Sequence, residues 1–309
     1  MSDEEQKLKK ILYTGLENSG KSSLILCLRQ NISNVGLLKP TYLVDRSKFT
    51  FMEYDIIQHD MGGQKSYLIN YLNSPGKFFK KTDLCVFVID IQDEKKYDRV
   101  IEYFGSMLEK IDEIGANPPI KIFFHKAENI LDGSDETGAD RIEKLKDRMI
   151  DVNKGRFSLS FKMTTICDPW GISTTFSEIF NELWPRDALV KKLMKKFADE
   201  LGVNVVVLLD GYLLTIASHI SEERFEEIIK YTAPHMYLFR KNLDSVKRSK
   251  KKTLKLEWDH YEITFVNLDH EKTPLYLLII AEGKKVTEKD LDNKIYWEIP
   301  KLRAALRIN

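Results

Sequence analysis

Apolar residues follow two rhythms along this chain. In the first half, the runs Leu84-Cys85-Val86-Phe87-Val88-Ile89 and Ile120-Lys121-Ile122-Phe123-Phe124 are nearly continuous, which predicts strands covered on both faces by helices. Residues 10–14 read as another short buried strand, and 23–29 as the first turns of a helix packed on a sheet. Residues 31–42, polar and containing Gly36 and Pro40-Thr41, read as a loop. The runs 48–54 and 55–59 stand close enough to pair as a hairpin. Helical spacing over 95–114 ends near Gly115, and Pro118-Pro119 forbids continuation. A helix over 139–151, a strand over 156–166 and a helix over 173–183 follow. Strands alternating with helices predict an α/β fold, a mostly parallel, doubly wound sheet whose ligands lie at the carboxyl ends of the strands.

After Trp184-Pro185 the rhythm changes, so the expected domains are 1–184 and 185–309. A helix over 186–201 stops at Gly202. Strands over 203–209 and 212–219 flank Asp210-Gly211, a hairpin signal. A helix over 222–231 comes next, then a less regular segment to 252. Strands over 254–259, 261–268 and 275–281 precede a last helix over 287–308, with a break expected at Pro300. This order predicts an α+β domain with antiparallel pairing.

Chemistry concentrates in Gly15-Leu16-Glu17-Asn18-Ser19-Gly20-Lys21-Ser22, between the first strand and the first helix. Two glycines, a lysine and a hydroxyl at this spacing, in a strand–turn–helix context, make a phosphate-binding loop. The main-chain N–H groups of Glu17, Asn18, Ser19, Gly20, Lys21, Ser22 and Ser23 would point at phosphates, aided by the positive end of the helix dipole. Lys21 would reach the β- and γ-phosphates, and the Ser22 hydroxyl would be a Mg²⁺ ligand. The plainer alternative is a tight turn with a surface lysine. About forty residues on, Asp60-Met61-Gly62-Gly63-Gln64 closes the second hairpin strand. From there Asp60 could hold a Mg²⁺-bound water beside Ser22, Gly63 could offer its amide to a γ-phosphate, and Gln64 could orient an attacking water. Alone, that segment would be an ordinary Gly-Gly turn; after a phosphate loop it completes a site.

Charge and cysteine narrow the class. With 48 basic against 47 acidic residues, nothing calls for nucleic acid. Cys27, Cys85 and Cys167 stand apart among apolar residues and are expected as buried, reduced thiols, which favours a cytoplasmic location. No apolar run reaches the length of about 18 residues that spans a bilayer, and the acidic start Met1-Ser2-Asp3-Glu4-Glu5 matches neither a secretory signal nor a myristoylation site. The run Lys247-Arg248-Ser249-Lys250-Lys251-Lys252 reads as a solvated loop, or as a contact for an anionic membrane surface or acidic partner. Among six histidines only His125 sits in a motif, and no His/Cys cluster suits zinc.

These motifs resemble those of small GTPases, and within them the Rag/Gtr family most closely, with Arf-like features in the phosphate loop. The resemblance implies a Ras-like P-loop GTPase domain followed by a roadblock/longin-like domain, GTP or GDP as ligand, and Mg²⁺. It implies that Thr41, after Pro40, binds Mg²⁺ and senses the γ-phosphate with Ser22 and Asp60, the last through water. It makes Gln64, Lys21 and Gly63 the hydrolytic set. It also makes His125-Lys126-Ala127-Glu128 the base-reading segment, joined by Thr165 and Ile166 of the stretch Thr164-Thr165-Ile166. Glu128 stands where the motif normally ends in Asp; it keeps the carboxylate that guanine requires but is one methylene longer. Glu17 stands where the Ras group carries Gly, and its side chain would limit an external arginine finger, implying slow hydrolysis. The second domain is implied to pair two related GTPases, as a homodimer or heterodimer through 185–309. Regulatory and effector proteins would act on the switch, and a partner could bring it to a membrane peripherally. Two other readings stay open: a nucleotide-bound scaffold that does not hydrolyse, and an ATP-using enzyme, which the Glu128 carboxylate disfavours.

Overall fold

The continuous run at 84–90 lies inside the sheet of the first half, in a computed structural model that describes residues 8–30, 32–52, 54–183, 188–245, 253–268 and 274–305. The Trp184-Pro185 junction and the basic run 247–252 lie outside the described residues. The strands are β1 (Leu8–Thr14), β2 (Val44–Phe51), β3 (Tyr54–Met61), β4 (Leu84–Asp90), β5 (Ile120–His125) and β6 (Leu159–Thr164), in the order β2-β3-β1-β4-β5-β6. All neighbours pair in parallel except β2 with β3. The registers Tyr13↔Asp60, Thr14↔Phe87, Asp90↔His125 and His125↔Thr164 bring five strand ends to one edge. That edge carries the site.

Burial explains the continuous patterns. Every residue from Leu84 to Ile89, and Ile120 and Ile122 to Phe124, is buried. Helix α1 (Lys21–Leu28) follows the glycine turn, α2 (Lys65–Asn73) follows β3, and α3 (Tyr97–Glu113) buries Val100, Tyr103, Phe104, Met107, Leu108 and Ile111 at three- and four-residue spacing. Helix α4 (Gly138–Asn153) buries Leu145 and Met149 in the same core. Two pairs of buried polar groups in this core satisfy each other: Thr14 Oγ1 lies 2.8 Å from Tyr103 Oη, and Gln58 Nε2 donates to Tyr13 Oη at 2.8 Å. The hairpin turn falls earlier than periodicity predicts. Phe51 pairs with Tyr54 and Met52 takes the left-handed conformation, so Tyr54 belongs to the second strand.

The chain divides into two units, Met1–Asp168 and Pro169–Asn309. Helix α5 (Pro169–Leu183), which the sequence assigns to the first domain, is thereby grouped with the second unit. Its Trp170 packs against that unit's core, and Thr215 donates its main-chain N–H to Ser177 Oγ at 2.8 Å.

Within the second unit, β7 (Val205–Asp210), β8 (Thr215–Ile220), β9 (Thr253–Trp258), β10 (Tyr261–Asn267) and β11 (Leu275–Glu282) form an antiparallel sheet in the order β8-β7-β11-β10-β9 among the described residues. Helices α6 (Ala188–Leu201), α7 (Arg224–Ser245) and α8 (Glu288–Ala305) complete the unit. Phe225, Ile229, Ala233, Met236 and Tyr237 of α7 pack on Val205, Val207, Leu209, Ile263, Phe265, Leu278 and Ile280. Alternation sends Leu277 the other way, towards Met194 and Phe197 of α6 and Leu302 of α8.

Three expectations for this half need correction, and one for the cysteines. Helix α7 runs to Ser245 rather than stopping at 231, because its apolar spacing continues past Pro234 through Met236 and Tyr237. Helix α8 continues across Pro300 to Ala305 without ending there. Asp210-Gly211 is not a two-residue turn. The loop widens to Leu214 because the buried Asp210 Oδ1 accepts from the N–H of Tyr212 and Leu214, each at 2.8 Å, while Leu213 takes the left-handed conformation. Cys27 and Cys85 are buried thiols as expected, but Cys167 is exposed.

Candidate functional site

The turn between β1 and α1 is shaped by close approaches. A Cβ at Gly20, whose φ is +91°, would lie 2.3 Å from His125 Cδ2, so only glycine lets this turn sit against the His125 ring. A Cβ at Gly63 would lie 2.3 Å from the Glu17 nitrogen, so the Gly63 backbone rests directly on the loop.

Lys21 is only 5% exposed, and its Nζ donates to Gly15 O (3.1 Å), Leu16 O (2.7 Å) and Ser19 Oγ (3.2 Å). Burial pushes its pKa down to about 8, opposed by the carboxylates of Asp60 and Glu17. An ammonium held mainly by carbonyl dipoles is a charge that anionic oxygens can claim.

Beside it, three hard oxygens converge. Ser22 Oγ donates to Asp60 Oδ2 and lies 3.0 Å from Thr41 Oγ1, which itself donates to Asp60 Oδ2 at 3.2 Å. Asp60 Oδ1 is buried without a hydrogen-bond partner. Burial raises the Asp60 pKa, against the hydrogen bond from Ser22 and the charge of Lys21. Two hydroxyls and an underused carboxylate suit Mg²⁺, so the donor set fits this ion. Among the described residues, no group of three or more His, Cys, Asp or Glu could hold a metal.

The segment 125–128, expected to read the base, also lies at this edge. His125 is buried, with Nδ1 3.0 Å from Thr164 Oγ1, and burial lowers its pKa to about 4, so the ring is neutral near pH 7. Lys126, left-handed at φ +62°, donates Nζ to Asp90 Oδ2 at 2.5 Å. Glu128 accepts from Thr165 Oγ1 at 2.8 Å through one oxygen and from Gln92 Nε2 at 3.0 Å through the other. Thr165 Oγ1 also accepts from the N–H of Cys167.

The structure thus unites Lys21, Ser22, Thr41 and Asp60 in one cluster, and His125, Lys126, Glu128 and Thr165 in a second, joined where Gly20 meets His125. Ile166 lies in the turn after Thr165. Gln64 stands at the start of α2 with its side chain exposed, and its carbonyl accepts from Tyr67 and Leu68. Sequence reasoning missed Asp90, Gln92 and Arg99. Asp90 could have been found as a carboxylate ending a buried strand; Gln92 and Arg99 carry no spacing that marks them.

Gln92 fixes where the longer Glu128 side chain places its carboxylate. Its amide also donates to Lys126 O at 2.9 Å, so one side chain ties both residues in place. Gln92→Ala is expected to weaken GDP binding about three- to tenfold, the worth of one or two hydrogen bonds. The preference for GDP over inosine diphosphate, which lacks the amino group, should narrow in a competition titration; equal losses for both would leave Gln92 with no part in base reading.

A strand, a glycine turn and a helix with Lys21 and Ser22, set at the carboxyl edge of a mostly parallel sheet beside Asp60, define a P-loop nucleotide-binding domain. Within that class the chain belongs to the Gtr1/RagA G proteins: the Gtr1/RagA G protein conserved region matches residues 10–248. It is also similar to ADP-ribosylation factor-like protein 2 of Arabidopsis thaliana, 30% identical over 94 residues that cover 30% of this chain and 48% of the relative. Similarity extends to ADP-ribosylation factor-like protein 3 of Caenorhabditis elegans, 28% identical over 144 residues covering 45% and 73% of the two chains. The chain thus spans about half the length of the first of these relatives (48%) and more of the second. Among solved structures, the Arl6 BBS3 small GTPase of Trypanosoma brucei with bound nucleotide analogue GppNp aligns at 20% identity and a TM-score of 0.46, over 57% of this chain and 97% of that one.

Proposed function

We propose that this chain is a Mg²⁺-dependent guanine-nucleotide switch that hydrolyses GTP slowly and signals through a dimer formed by residues 185–309. The convergence of Lys21, Ser22, Thr41 and Asp60 on one point beside the glycine loop carries this reading. Ser22 and Thr41 would ligate Mg²⁺, with Asp60 holding one of its waters. When bound, the ion would neutralise charge on the β- and γ-phosphates. Loop amides and Lys21 would bind the same oxygens, Gly63 would offer its N–H to the γ-phosphate, and Gln64 would orient water for attack. That water's oxygen bonds to the γ-phosphorus as the β,γ-bridging oxygen leaves with GDP. His125, Lys126, Glu128, Thr165 and Ile166 would seat the guanine.

Loss of the γ-phosphate would release Thr41 and Gly63, and the loops carrying them would move. Tyr42, 77% exposed and edge-on to the Tyr67 ring, lies beside Thr41 and offers regulatory or effector proteins an aromatic contact that would respond to this movement. In the second unit, the roadblock/longin-like reading is supported by the element order. Dimerisation through it is supported by the edge strand β9, where Leu256 and Trp258 are exposed, and by Tyr231, Leu238 and Phe239, exposed along α7. No described helix is long and apolar enough to cross a membrane. A cytoplasmic protein recruited to a membrane by a partner fits the reading.

The test is chromatography of nucleotide released by heating the purified protein, with subunit mass measured by light scattering on the same sample. GDP or GTP in a particle of twice the chain mass is the expected result. A protein free of nucleotide would overturn the switch, a monomer would overturn the homodimer and leave the heterodimer with a related GTPase, and bound ATP would overturn the assignment of the base.

A further inference from the structure

The phosphate loop carries a carboxylate, Glu17, between its two glycines. Glu17 is one of the residues whose N–H groups would face the phosphates in the switch reading, and one of its oxygens, Oε2, is buried without a hydrogen-bond partner. Its other oxygen accepts from Arg99 Nη1 at 3.2 Å, reaching across from α3. The Gly63 backbone rests against the main-chain nitrogen of the same residue. A negative side chain, a positive side chain from a distant helix and the Gly63 backbone therefore meet at one residue of the loop.

Both side chains are partly exposed, 46% for Arg99 and 36% for Glu17, so the pair adds little to folding stability. Its consequence is local. In the switch reading, Arg99 would offset the carboxylate near the place where the outermost phosphate would arrive; without it, that phosphate would meet an unpaired negative side chain. The diphosphate, ending farther from this corner and carrying less charge, would feel the change less.

We propose that Arg99 is a specificity-determining residue of the nucleotide site, neutralising Glu17 so that the loop accepts a triphosphate as well as a diphosphate. This inference rests on the switch reading above. It predicts a pattern that a purely structural arginine would not produce. Arg99→Ala weakens binding of a non-hydrolysable GTP analogue about five- to tenfold more than binding of GDP, the size expected of one uncompensated charge at a few ångströms in a partly screened site. Arg99→Lys retains most of the difference. Adding Glu17→Gln to Arg99→Ala restores triphosphate binding to within about threefold of the parent, because the charge that needed neutralising is gone. The penalty in Arg99→Ala shrinks as salt rises from about 0.05 to 0.5 M, since screening replaces the guanidinium.

The experiment is a set of fluorescence titrations of the full chain and these variants with labelled GDP and labelled GppNHp at both salt concentrations, each variant first checked by thermal melting. Equal losses for the two nucleotides, or a double variant no better than Arg99→Ala, would overturn the proposal while leaving the switch reading intact. A parent protein that binds neither nucleotide would overturn the switch reading and this proposal with it.

Discussion

Lys21→Ala is expected to cost about 2–3 kcal/mol of nucleotide binding, or roughly 30–150-fold in affinity, the worth of charged hydrogen bonds to phosphate oxygens. The side chain is buried and its three present partners are two carbonyls and a hydroxyl. Neutral dipoles repay only part of the cost of burying an ammonium, and burial accordingly lowers its pKa to about 8. Phosphate oxygens complete that compensation, so binding nucleotide should raise the pKa. The pH dependence follows. Below pH 8 both the free and the bound forms carry the proton, and affinity does not depend on this group. Above pH 8 the free form loses its proton while the bound form keeps it, so affinity falls as pH rises until the bound form titrates as well. Calorimetric titration with GDP between pH 7 and 10 should show this decline in the parent and not in Lys21→Ala. A loss under threefold, with a lowered melting temperature, would instead mark Lys21 as a staple for the loop carbonyls of Gly15 and Leu16.

What could be read from sequence, and what could not, divides along a physical line. The strands β4 and β5 were legible because burial on both faces demands unbroken apolar runs, and α3 was legible because one face repeats at helical spacing. The strand–turn–helix that carries residues 15–22 was legible because phosphate-binding chemistry needs particular residues at fixed short spacing between such elements. Ser22 at the start of α1 and Asp60 near the end of β3 lie apart in sequence but meet at one sheet edge through topology, while Thr41 comes to them from the loop that precedes β2. Features set by one side chain's hydrogen bonds stayed hidden. Asp210 draws its loop wide by accepting two N–H groups, although Asp-Gly read locally gives a tight turn. Met52 adopts a left-handed conformation that nothing in its side chain advertises. The passage of α7 through Pro234 depends on tertiary packing of Ala233, Met236 and Tyr237, which overrides a local breaker. Gln92 and Arg99 lie on the stretch leading into α3 and in its first turn, facing the loops, and only the folded arrangement shows which carboxylates they meet.

Gln64→Leu is expected to lower single-turnover GTP hydrolysis at least tenfold while leaving nucleotide affinity within about twofold of the parent, as befits a residue that positions water and does not hold phosphate. The geometry separates those two duties. Gly63 is packed on Leu16 and Glu17, where no Cβ fits, so the main chain preceding Gln64 is anchored to the phosphate loop. At the other side, the Gln64 carbonyl accepts from Tyr67 and Leu68 and starts α2. The main chain is held on both sides while the side chain stays exposed, free to reach a water beside the γ-phosphate. Leucine keeps the bulk and the helix start but offers neither donor nor acceptor, so the chemical step alone should suffer. Phosphate release from preloaded protein, measured in one turnover after Mg²⁺ is added, reads that step directly. A rate equal to the parent's would remove Gln64 from the mechanism. A parent that releases no phosphate with or without partners would favour a scaffold that keeps its nucleotide, since in such a protein the exposed amide beside Gly63 has no reaction to serve.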